Sequence, residues 1–286
     1  MEHSKEREGE PPVFSVVIPT THGEGKRALG PRLRNCMKSL VNQTLQPLEI
    51  IVADYGSSED GHEELMKILE PFDCSVYYYP HTDGIWNLSK ARNMGIRRSQ
   101  CDFAAVDADV ILEPRVIEIL SKAHASRPRS LISCFARFLK PDAWPEGPTD
   151  LDFPEGFFKL REMEFWPSAG WGTVVSVDRS WFFKVRGFDE RMKFWGAEDK
   201  DLWKRAGLDG MDRYRINDLQ EDDTEIYHQF HDDCLSWDQS KLTKEEADQI
   251  KWNKLLAEKD YTLIRNNDNW GLWKIQDQDR GDQFIY

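Results

Sequence analysis

Phe103-Ala104-Ala105-Val106-Asp107-Ala108-Asp109 is an apolar run that stops abruptly on two carboxylates separated by one small residue. A buried strand of an α/β sheet reads this way, and in open sheets ligands collect beyond the carboxyl ends of the strands. Asp107 and Asp109 are therefore expected where a ligand arrives. Two acids at i and i+2 leaving a strand can face a hard divalent cation, which can in turn bridge phosphate oxygens. Asp is also common just after strands, so three residues alone equally suit a solvated turn. The surrounding chain decides between them.

Upstream, Val13 to Ile18 reads as a buried strand closed by Pro19-Thr20, and Leu33, Cys36, Met37, Leu40 and Val41 put a helix over Arg32 to Gln43. Leu48 to Ala53 is a second strand ending on Asp54, whose loop launches a helix over Glu63 to Leu69. A third strand over Val76 to Tyr79 and a helix over Asn87 to Arg98 lead back to residue 103. This alternation predicts an α/β fold with a Rossmann-like, mostly parallel central sheet and helices on both faces. Thr20, Asp54 and Asp107 then share one sheet edge, the layout of a nucleotide site. Met1 to Pro12 is charged and patternless, and is expected to be a disordered tail.

Downstream, the pattern predicts a helix over Pro114 to Ala125 and strands over Ser130 to Phe138 and Gly170 to Val177. Helices follow over Arg179 to Val185 and through Leu202 and Ala206, then a short strand over Ile226 to Phe230 and an amphipathic helix over Lys244 to Leu263. Lys140 to Pro154, rich in Pro, Gly and Asp, reads as a long surface loop able to close over a ligand. The expected organisation is one domain over 13–235, divided into a nucleotide-binding half (13–110) and an acceptor half (111–235). A C-terminal helical extension over 236–286 carries Trp270, Trp273 and Phe284.

A formal net charge of −13 argues against a general nucleic-acid or anionic-membrane binder, and an anionic nucleotide would need a local cation. No apolar stretch reaches the roughly 18 residues of a membrane span and no signal-type segment opens the chain, so the default compartment is cytoplasmic, with peripheral membrane contact left open. The five cysteines are scattered and odd in number, which suits buried thiols rather than a disulfide framework. Ten of the eleven tryptophans lie after residue 140, where they can pack the core or offer faces to sugar rings.

Three further groups carry candidate chemistry. Trp195-Gly196-Ala197-Glu198-Asp199 sets an aromatic platform beside two acids at a helix start, where the helix favours ionised carboxylates able to act as bases. Asp and Glu are also ordinary first-turn residues. His228 and His231 could join carboxylates in a mixed nitrogen and oxygen site for Mn or Zn, or be ordinary hydrogen-bonded histidines. Arg92, on the helix before the acidic strand end, could pair a phosphate or ribose group, or lie on the surface.

In order and approximate spacing, Ser15 to Thr20, Val52 to Ser58, Ala91-Arg92-Asn93-Met94-Gly95, Asp107-Ala108-Asp109, Gly187-Phe188-Asp189-Glu190 and Trp195 to Asp199 resemble family 2 type glycosyltransferases of the GT-A fold. The second half is similar to a region shared with galactosyltransferases, and the likeness covers about residues 13 to 233. The resemblance implies a metal-dependent inverting transfer from a nucleotide-diphospho sugar, UDP first, to a hydroxyl of a glycan or glycoconjugate. It implies that Pro19, Thr20, Asp54, Arg92 and Asp107 hold the nucleotide sugar, and that Asp107, Asp109, His228 and His231 hold the metal, Mn2+ first and Mg2+ as the alternative. Asp199 would be the catalytic base, Glu198 its neighbour orienting the acceptor, and Trp195 the acceptor platform. Tyr55, Ala197 and Lys200 depart from the family pattern, which bears on the donor sugar and the acceptor. A retaining enzyme on the same fold and a non-catalytic sugar-binding module are the competing readings.

Overall fold

The computed structural model describes residues 2–3, 11–23, 30–80, 85–140, 150–219, 224–231, 242–277 and 281–285. In chain order the first elements are β1 (Glu2–His3), β2 (Phe14–Thr20), α1 (Gly30–Val41), β3 (Leu48–Tyr55), α2 (Glu59–Leu69), β4 (Ser75–Tyr79), α3 (Leu88–Ile96) and β5 (Phe103–Val106). There follow β6 (Val110–Leu112), α4 (Val116–Ser126), β7 (Ser130–Leu139), α5 (Glu155–Glu162), β8 (Phe165–Val177), α6 (Arg179–Lys184) and α7 (Glu198–Leu208). The last are β9 (Asp212–Arg215), β10 (Ile226–His228), α8 (Lys244–Lys259), β11 (Trp273–Asp277) and β12 (Gly281–Ile285).

The main sheet runs β1-β4-β3-β2-β5-β8-β7-β10-β6, with β9 on β7 beside β10. Its β4-β3-β2-β5 half is parallel, as the strand and helix alternation requires, and β8 reverses direction between β5 and β7. Side chains along β2 alternate between faces. Val16 and Ile18 pack with Leu33, Met37 and Leu65 of α1 and α2, whereas Val17 packs with Ile96, Phe182 and Leu202 of α3, α6 and α7. Both faces are therefore covered, which is why β2, β3 and β5 are buried along their whole length. At Gly95 a Cβ would stand 2.4 Å from Val17 Cγ1, so this glycine lets α3 lie close on the sheet.

Several elements differ from expectation. Glu2–His3 pair antiparallel with Val76 and Tyr77, using the free ladder groups of edge strand β4, so the tail is not wholly disordered. β6, β9 and α5 were not expected; β6 is three residues long and β9 is a largely exposed Asp-Arg-Tyr-Arg, so neither shows a hydrophobic period. The last helix stops at Lys259 instead of Leu263, because Asp260 turns its carboxylate to Arg191 and to the Thr262 amide and hydroxyl. The C-terminal extension is not only helical, since β11 and β12 form a separate two-stranded sheet. Residues 260–272 are bound to the same core as the domain: Arg265 is buried 3.0 Å from Asp201, and Trp270 meets Phe182 and Phe183 edge-on. Most of the 140–154 loop lies outside the described residues, but its end is docked through Leu151 beside Tyr227 and through Asp150, 2.9 Å from Arg34.

Candidate active site

The chain after β5 turns through Asp107-Ala108-Asp109 straight into β6, and β6 pairs antiparallel with β10, Val110 opposite His228. That register brings three ligand-type side chains together. Asp109 Oδ2 lies 3.0 Å from His231 Nε2, and Oδ1 lies 3.4 Å from His228 Nε2 without hydrogen-bond geometry. One potential ligand atom from each residue falls within 4.8 Å of the others, close to the spread of atoms held about 2 Å from one ion. Burial lowers the pKa of His228, although Asp109 opposes it, and so favours the neutral imidazole that ligates metals. Burial would raise the pKa of Asp109, but His228 and His231 outweigh it and keep the carboxylate well below its ordinary range. Gln229, between the histidines, holds the turn: its amide nitrogen donates to the Asp109 and Arg32 carbonyls, and its oxygen accepts from Asn35 of α1.

Asp107 is not in that cluster. Its Oδ1 accepts from Arg92 Nη2 at 2.7 Å, and the same Nη2 also donates to the Gly172 carbonyl at 2.9 Å. Arg92 Nη1 reaches Glu198 Oε1 at 3.3 Å, so one guanidinium, 1% exposed, joins α3, the acidic strand end, β8 and the start of α7. Burial alone would pull the Arg92 pKa down; Asp107 and Glu198 reverse the effect and raise it. Burial pushes Asp107 up to about 6 against the pull of Arg92. Asp199 is pushed up to about 7, first by burial and then by the neighbouring Glu198. A Cβ on Gly172, whose φ is 82°, would meet Asp199 Oδ2 at 2.7 Å, so only glycine lets the carboxylate lie against β8.

Pro19, Thr20 and Asp54 stand where expected, at the ends of β2 and β3, with Thr20 opposite Asp54 in the ladder. The Asp54 carboxylate is fully buried and engaged by Ser57 Oγ and by His62 Nδ1, 2.7 Å away. His62 in turn stacks on Tyr78 with ring centroids 3.9 Å apart. Thr20 Oγ1, Thr173 Oγ1, Asp109 Oδ1 and Glu198 Oε2 are buried and make no hydrogen bond. Trp195 is partly exposed in a loop where Phe194, Gly196 and Ala197 all have positive φ, and Ala197 caps α7 in the left-handed region.

The structure thus gathers Asp109, His228 and His231 into one cluster and Arg92, Asp107, Glu198 and Asp199 into another. Glu198 is turned inward to Arg92, and only Asp199 of the acidic pair is partly exposed. Sequence reading missed Gln229, Asn35, Gly172 and His62. Gln229 stood inside the His-Gln-Phe-His quoted for its histidines, but nothing in it announced that an amide would lock the turn.

A parallel half-sheet with an acidic edge, extended by a half of mixed direction, defines a GT-A type α/β fold. A model of glycosyl transferase family 2 matches residues 15–191, and one described as the N-terminal domain of galactosyltransferase matches residues 158–231. The chain belongs to glycosyl transferase family 2. It is similar to a validoxylamine A glucosyltransferase of Streptomyces hygroscopicus, 26% identical over 70% of this chain and 52% of that protein. It is also similar to a chondroitin synthase of Pasteurella multocida, 27% identical over 69% of this chain and 23% of that protein. A solved structure of S. aureus TarS 1-349 in complex with UDP superposes with TM-score 0.51 at 16% identity, covering 76% of this chain and 60% of that one. The chain spans about half the length of the glucosyltransferase it matches.

Proposed function

We propose that this chain moves a sugar from a UDP-sugar to a hydroxyl of a saccharide or glycoconjugate, with inversion at the anomeric carbon and with a divalent cation bound, Mn2+ before Mg2+. The observation that carries this reading is the convergence of Asp109, His228 and His231 beside Asp107, Arg92 and Asp199 at one sheet edge. Support for UDP comes from the TarS complex, and support for sugar transfer comes from the named relatives.

Asp109, His228 and His231 would hold the cation, a donor set of one oxygen and two nitrogens that suits Mn2+ or Zn2+. When bound, the ion supplies positive charge for a diphosphate. Thr20 faces the nucleoside, Asp54, buried under Ser57 and His62, orders the loop beside it instead of touching it, Asp107 takes the ribose, and Arg92 adds fixed positive charge where the leaving phosphate gathers negative charge. Asp199 accepts the proton of the acceptor hydroxyl as that oxygen bonds to the anomeric carbon; the bond to the diphosphate breaks on the opposite face, and its electron pair leaves with the phosphate oxygen. Trp195 offers a face to the acceptor ring. In this reading 13–110 is the nucleotide half and 111–235 the acceptor half, with α8 bracing the latter. Among the described residues no helix is long and apolar enough to cross a membrane.

The test is release of UDP from a panel of UDP-sugars with and without Mn2+, followed by NMR of the product. Metal-dependent release and an inverted anomeric centre are expected. A retained configuration refutes the role given to Asp199, and absence of both UDP binding and release refutes the function.

A further inference from the structure

The loop leading into α7 is strained: φ is 62° at Phe194, 99° at Gly196 and 74° at Ala197. Left-handed backbone at non-glycine residues persists only where the surroundings impose it. One constraint comes from the entry to α3, where Phe194 donates to the Trp86 carbonyl at 2.5 Å and accepts from the Leu88 amide at 3.1 Å. The other comes from α8. Asn253, wholly buried, donates through Nδ2 to the Lys193 carbonyl at 2.8 Å and the Trp195 carbonyl at 3.2 Å, the two carbonyls that flank Phe194. Its Oδ1 accepts from Gln249 Nε2 at 2.8 Å, so both amide hydrogens and one oxygen lone pair are used, and the orientation that satisfies them sets the nitrogen toward the two loop carbonyls. Ile250 beside Gly196, and Ala257 packed with Met192 and Ala197, close the same contact.

We propose that Asn253 is a positioning residue, a two-carbonyl clamp by which α8 holds the Trp195 platform and, through Ala197, the first turn of α7 with Glu198 and Asp199. The consequence for catalysis rests on the function proposed above; the clamp itself does not. It assigns α8 a task on the acceptor side and none on the nucleotide side, whose residues come from α3 and the ends of β2, β3 and β5.

Asn253→Asp is nearly isosteric and turns both donors into acceptors facing carbonyls; Gln249→Met only frees the amide. Hydrogen exchange by mass spectrometry over 193–199 in the full chain, calorimetric titration with UDP and Mn2+, and steady-state transfer from the UDP-sugar that turns over would be compared. For Asn253→Asp we expect exchange of the loop to accelerate about tenfold or more, acceptor KM to rise and kcat to fall, with UDP affinity held within about twofold. Gln249→Met should shift the same quantities in the same direction by less, and serves if Asn253→Asp does not fold. Unchanged exchange over 193–199, or UDP affinity lost in step with transfer, overturns the clamp. If the wild-type chain releases UDP from no donor, the proposed function falls while loop exchange still decides the clamp.

Discussion

Replacing Arg92 by methionine removes the one guanidinium that Asp107 and Glu198 share and keeps a side chain of similar length. Arg92 is 1% exposed and its acceptors lie 2.7, 2.9 and 3.3 Å away; Glu198 is nearly as deep, while the Asp107 side chain keeps 26% exposure, so water can solvate only part of what the arginine leaves. Breaking a buried ion pair from one side typically costs about 3–5 kcal/mol, and that loss is expected at about pH 7.5. The loss should depend on pH. Asp107 at about 6 and Asp199 at about 7 already lie above the ordinary Asp value, and without Arg92 they rise further. The folded variant then holds protons that the unfolded chain releases, so its stability increases as pH falls from those raised values toward the ordinary one. Each extra proton returns at most about 1.4 kcal/mol per pH unit, so the deficit against wild type should shrink by about 1–2 kcal/mol at about pH 5.5. Urea unfolding of both proteins at the two pH values measures it. A deficit below about 1 kcal/mol, or one that does not change with pH, would refute the shared-cation reading.

In the proposed mechanism Asp199 must be ionised to take a proton, so transfer should rise with pH through about 7 and level off above it; Asp199→Asn should remove transfer and leave UDP affinity intact by calorimetry. His231→Ala removes one nitrogen of the cluster and should weaken Mn2+ on the order of 100-fold by titration, with little change in melting temperature when no metal is added. Trp270→Ala should cost about 3–5 kcal/mol in urea unfolding, because Trp270 is 5% exposed against Phe182 and under Arg97, despite lying far beyond the sheet in sequence.

The parallel half was legible because β2, β3 and β5 are buried on both faces and so read as unbroken apolar runs. The mixed half was harder: β9 is a polar edge strand, and β8 begins at Phe165, five residues before the Gly170 at which its apolar run was placed. Within the site, residue types made Asp109, His228 and His231 candidates for one cluster, although each also suited an ordinary turn or a hydrogen-bonded histidine. What they did not reveal was the partition. Asp107 and Asp109 are two residues apart, yet one faces an arginine and the other two histidines. That division depends on where α3 and β10 dock, which no local pattern encodes. Clamps such as Asn253 are invisible for the same reason, being amides whose partners are distant backbone carbonyls.

The pairing of β6 with β10 also bears on the order of events during synthesis. Asp109 emerges from the ribosome with the parallel half of the sheet, but its imidazole partners arrive only with one of the last strands of the main sheet, and their side chains face it only in the register that sets His228 against Val110. A slip of one residue would turn His228 to the other side of the sheet. A nascent chain ending short of residue 226 therefore carries the acids without the imidazoles, so the proposed cation site could assemble only once β10 has been made.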